Sequence, residues 1–106
     1  MARRLPSVLN KEEVETILKV TTNKNHLLAF KLAFLCGLRI SEVVKLTPND
    51  IDRNRGMLFI RQAKGSKDRY VPFPKFLSKS LTQIPIKCGI RALQIAFKKV
   101  VIKAGI

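Results

Sequence analysis

The sequence predicts a mainly α-helical domain with one β-hairpin, an α+β arrangement, and three observations carry that expectation. Residues 11–20 and 89–104 repeat apolar side chains at three- and four-residue steps, the helical period. Residues 57–62 and 69–73 are rich in Phe, Ile, Tyr and Val and flank the polar loop Ala63-Lys64-Gly65-Ser66-Lys67-Asp68, which reads as a hairpin. Capping residues and glycines stand where the helical segments should begin and end.

Each element follows in chain order. Residues 1–9 read as an extended lead-in, because Pro6 discourages helix before it. Asn10 and Glu13 have capping-box spacing, and Leu9 with Val14 can form a hydrophobic staple, so a helix should run from Lys11 to about Val20 with Val14, Ile17 and Leu18 inward. Glu12, Glu13 and Glu15 suit the positive end of that helix. Residues 25–36 are apolar on nearly every side, the mark of a central buried helix, and Gly37 is its stop. Val43, Val44 and Leu46 give a short third helix. Thr47-Pro48-Asn49-Asp50 has the form of a capped turn with Thr47 at the N-cap and Pro48 at N1, and residues 52–56 form a polar turn. After the hairpin, a short helix should follow Pro74 and cover Phe76, Leu77 and Leu81. The last helix, 89–104, carries Leu93, Ala96, Phe97, Val100, Val101 and Ala104, with Gly105 as its end.

The 106 residues suffice for one small domain or part of one. With 46% apolar and 26% charged residues, the chain is too hydrophobic for a disordered basic tail. Twenty-one Lys and Arg against seven Asp and Glu give a formal charge of +14, which attracts polyanions, chiefly nucleic acid. Residues 1–56 hold ten basic and six acidic side chains, whereas 57–106 hold eleven and one, so the second half is the expected phosphate-facing part. Basic residues on solvated helix faces also serve solubility alone. Cys36 and Cys88 lack Cys-x-x-Cys spacing and sit among apolar residues, so both are expected to be buried reduced thiols in a cytoplasmic protein. No signal-peptide pattern opens the chain, and Lys31 interrupts the longest apolar run before it reaches membrane-spanning length.

Three runs occur in order: Gly37-Leu38-Arg39-Ile40-Ser41-Glu42, then Leu46-Thr47-x-x-Asp50-Ile51, then Lys64-Gly65-Ser66-Lys67-Asp68-Arg69-x-Val71-Pro72. This set resembles the tyrosine recombinases, the phage integrase family, and particularly its Xer-like enzymes. Leu5 to Leu9 with the Glu-rich helix resembles the start of their catalytic domain, and Ala96 to Ile106 the helix ahead of their second motif box, so the likeness covers essentially the whole chain. It implies double-stranded DNA as partner and a partial recombinase catalytic core over residues 1–106. Arg39 matches the first catalytic arginine, which grips the scissile phosphate; Glu42 matches a supporting acidic position; and Lys64 matches the hairpin lysine that protonates the leaving 5′ oxygen. Lys67, Arg69 and Arg91 match basic positions where phosphate contact is expected.

The residue types suit such chemistry. A guanidinium offers parallel donors to phosphate and stays charged at working pH, and a lysine among other cations has a lowered pKa that eases proton delivery. Neither metal nor cofactor is required: Asp50 reads as a cap and Asp52 as a turn former. The family's His-x-x-Arg box and tyrosine nucleophile are not matched in this sequence. His26 precedes Arg39 with no arginine three residues on and reads as a helix-end or packing residue, and Tyr70 lies inside a strand and reads as strand packing. The expectation is therefore a DNA-binding chain, catalytically incomplete by itself, with the core-binding domain and nucleophile segment absent. Apolar helices without their usual cover also imply self-association or a recombinase partner, with Phe97, Val100 and Val101 as the expected exposed surface. A standalone recombinase-derived regulator is the alternative reading, and a basic ribosomal-type RNA-binding protein a more distant one.

Overall fold

The computed structural model describes residues 9–61 and 67–106. Residues 1–8 of the lead-in and the segment 62–66, which holds Lys64, lie outside the described residues. Asn10 opens helix α1 (Lys11–Val20) through the expected reciprocal cap: its side chain accepts the Glu13 N–H at 2.8 Å, and Glu13 accepts the Asn10 N–H at 3.0 Å. Ile17 is fully buried, while Val14 and Leu18 are half-buried. Asn23 caps helix α2 (Lys24–Cys36), accepting the backbone N–H groups of Asn25 and His26.

Helix α2 is the central element, as its composition predicts. Leu28, Ala29, Phe30, Leu32, Ala33 and Cys36 are buried, and α2 packs against α1, helix α3 (Ile40–Lys45) and helix α4 (Ile90–Lys103). Phe97 of α4 meets Phe30 edge-on, ring centres 5.7 Å apart. The expectation that Phe97 is exposed is thus corrected: it is buried, and Val100 and Val101 pack partly on the same core. The stripe that faces Phe30 is the one on which Phe97 lies. On α4 the large apolar side chains left in solvent are Ile90, Ile95 and Ile102.

The hairpin is in fact two-thirds of a three-stranded antiparallel sheet, β1 (Ile51–Asp52), β2 (Met57–Ile60) and β3 (Arg69–Pro72), in that order. Asp52 shapes the β1–β2 turn by accepting the Arg55 N–H at 3.1 Å, and Gly56 completes it at φ 67°, a conformation that favours glycine. Ile51 pairs with Leu58, and Ile60 with Arg69. Leu58 and Ile60 face the core. After β3 the expected short helix is two 3-10 turns, Lys75–Leu77 and Ser80–Gln83, which bury Leu77 and Leu81 but leave Phe76 70% exposed. Cys36 is buried; Cys88 is only partly so, which corrects the expectation of two buried thiols.

Candidate functional site

Arg39 owes its place to its neighbours. Gly37 takes the left-handed conformation (φ 69°, ψ 28°) that ends α2. Leu38 and Ile40 are buried on either side of exposed Arg39, so apolar anchors hold the backbone while the guanidinium reaches solvent. Arg39 is the N-cap residue of α3, and Glu42, three residues on, folds back so that its Oε1 accepts the Arg39 N–H at 2.9 Å.

Glu42 is only 7% exposed, and a buried carboxylate needs partners. Arg69, at the start of β3, supplies a two-pronged contact: Nη1 donates to Oε2 at 2.8 Å and Nη2 to Oε1 at 3.1 Å. One carboxylate therefore ties the backbone beside Arg39 to a hairpin side chain 27 residues away. The hydrogen bonds to Glu42 push the Arg69 pKa above its ordinary value, so it remains charged. Its side chain is 41% exposed, which leaves donors turned to solvent.

A second buried carboxylate lies next to the first. Asp50 Oδ2 accepts the Thr47 N–H at 2.9 Å and the Thr47 hydroxyl at 3.0 Å, the capping role expected for it in the 3-10 turn Pro48–Asp50. Arg61, directly after β2, brings Nη2 to 3.1 Å from Asp50 Oδ1. That distance makes an ion pair, but the angles do not make a directed hydrogen bond, and Oδ1 has none among the described residues.

The structure thus brings Arg39, Glu42 and Arg69 together. Lys67 is exposed just ahead of β3, and Arg91 is exposed on the first turn of α4, which packs against α3. Tyr70 pairs across the strands with Phe59, ring centres 5.2 Å apart, and stays 58% exposed. His26 sits in the first turn of α2 with its ring 6.4 Å from that of Phe30. Among the described residues no group of three His, Cys, Asp or Glu side chains could hold a metal ion, and no helix is long and apolar enough to cross a membrane.

Sequence reasoning missed Arg61 as a site residue and saw in Asp50 only its cap. The available signal was that each predicted strand carries an arginine near the hairpin loop, Arg61 and Arg69, while two acids occupy the preceding motif runs.

The model of the phage integrase family matches residues 7–104. The chain is 42% identical over 81 residues to the tyrosine recombinase XerA of Thermococcus kodakarensis, covering 74% of this chain and 29% of that protein. In fold it is similar to a crystal structure of XerA recombinase (TM-score 0.77, 17% identity, 99% of this chain and 45% of that one). It is also similar to an integrase from mycobacterium phage Brujita (TM-score 0.79, 18% identity, 100% of this chain and 40% of that one). The chain spans under a third of the curated relative's length and under half of either solved chain.

Proposed function

The chain belongs to the phage integrase family, the tyrosine recombinases, and from that premise we propose that it binds duplex DNA as the first half of a site-specific recombinase catalytic core. The observation that carries this reading is Glu42, bonded at once to the Arg39 backbone and to the Arg69 guanidinium. It joins the two elements whose motifs resemble the family's phosphate site.

Arg39 grips the non-bridging oxygens of the scissile phosphate, where a guanidinium matches phosphate geometry and offsets charge that grows during transfer. Lys64 protonates the departing 5′ oxygen. Lys67, Arg91 and the solvent-facing donors of Arg69 bind flanking phosphates. In the complete reaction a tyrosine attacks phosphorus and forms a 3′-phosphotyrosine while the 5′ oxygen leaves with its proton. This chain supplies no such tyrosine: Tyr70 is committed to a strand and to Phe59. Binding without strand cleavage is the outcome for the chain alone.

Titration of labelled duplex against salt tests this. Affinity should fall steeply with salt, and Lys67→Ala and Arg91→Ala should each flatten the log–log slope by roughly one, since each lost phosphate contact removes about 0.9 of a released counterion. Parent and variant curves that coincide across salt would remove the proposed face. On a suicide DNA substrate the chain alone should form no covalent adduct, whereas a C-terminal tyrosine-bearing segment of a relative supplied in trans should permit one that Arg39→Ala abolishes. An adduct formed by the chain alone and lost in Tyr70→Phe would overturn the assignment of Tyr70.

A further inference from the structure

Strand β3 is poorly anchored by apolar burial. Arg69, Tyr70 and Pro72 are exposed and Val71 is only half-buried, in contrast to β2, where Leu58 and Ile60 are buried. Phe73 secures the C-terminal end of β3 in the core, and Glu42–Arg69 is one attachment at the other end. Ile60 pairs with Arg69, so Arg61 and Arg69 emerge from the same end of the hairpin, one from each strand. They reach different carboxylates, Asp50 and Glu42, 4% and 7% exposed respectively, both in the short stretch that follows Arg39.

We infer that Asp50–Arg61 and Glu42–Arg69 form a two-point clamp that fixes the loop end of the β2–β3 hairpin, the end of the Ile60–Arg69 pair, against α3 and its following turn. Arg61 and Arg69 are then positioning residues. Leu58, Ile60 and the pairing with β1 already hold β2, so what the ion pairs add is direction at the loop end. Two pairs, one per strand, set both the distance and the twist of the strands relative to the segment that begins at Arg39. A small cavity of about 10 Å³, lined by Glu42, Asp50 and Arg61 among others, has room for about one water between the two pairs. The carboxylates hold their shape without the arginines, since Glu42 caps α3 and Asp50 caps the 3-10 turn through other bonds. The arginines can therefore be altered without uncapping either element. The consequence for phosphate contact rests on the function proposed above; the clamp does not.

Amide hydrogen exchange on the whole chain, without DNA, tests it. Arg61→Ala and Arg69→Ala should each speed exchange at residues 58–60 and 69–71 by roughly three- to tenfold, while the α2 amides change by less than about twofold. Arg61→Lys, which keeps the charge, should restore much of the protection. If hairpin and α2 amides accelerate together, or neither does, or Lys at position 61 behaves as Ala does, the clamp is wrong. If the exchange pattern appears in a chain that binds no duplex, the clamp stands and the DNA-binding reading falls.

Discussion

The α2–α4 core and the α3–sheet junction are built from different physics within one small fold. In the core, Phe30, Leu32, Leu93 and Phe97 belong to one buried apolar cluster that excludes water. In the junction, two buried carboxylates meet two arginines whose side chains are 41% and 62% exposed. Burial of apolar surface is non-directional and is not weakened by charge screening; ion pairs fix direction and are weakened by it. The core therefore sets how stable the chain is, and the junction sets where its cations point.

The sharpest way to break this division is to cut into the core. Phe30→Ala removes a side chain that is 1% exposed and packed edge-on against Phe97. The loss should be about 3 to 5 kcal/mol in urea unfolding, a large fraction of a small domain's stability. A loss under about 1 kcal/mol would mean that α2 does not govern stability.

Glu42→Gln probes the junction with a smaller expected effect. Glutamine keeps an oxygen to accept the Arg39 N–H but gives up the charge opposite Arg69. Breaking a fully buried pair costs several kcal/mol, but the solvent around Arg69 reduces this to about 1 to 2 kcal/mol. High salt should narrow the gap between parent and variant, because screening weakens only the parent. A gap that does not respond to salt would place the effect in packing or capping instead.

Local signals explain what was legible in the sequence. The Asn10–Glu13 cap, the Gly37 stop and the apolar character of α2 act within a few residues, and each appears where it was expected. The third strand was not legible, because two residues, Ile51 and Asp52, show no alternation and only their pairing with β2 makes them a strand. Nor was the partner of Arg69: a basic residue on a hairpin reads as a phosphate ligand until Glu42, 27 positions earlier, is seen beneath it. Arg39 and Glu42 were legible as a motif. That Glu42 joins Arg39 to the hairpin was not, since the joining depends on the fold.

The smallest expected effect compares the two thiols, one in each kind of surrounding. Cys36 closes α2 against the core, and burial pushes its pKa from 9.0 to about 11; Cys88 is partly buried and its pKa is raised as well, also by burial. The thiolate is the reactive form, so a small disulfide reagent at pH 8 should modify Cys88 well before Cys36. Because the folded pKa of Cys36 lies above its unfolded value, the thiol's contribution to stability is fully present below pH 9. It is lost as pH rises toward 11, where the unfolded chain ionises first. Cys36→Ala should flatten that alkaline decline slightly and Cys88→Ala should alter it less. If Cys36 is labelled first while the chain is folded, the C-terminal end of α2 is open to water, and the core is smaller than its apolar sequence implies.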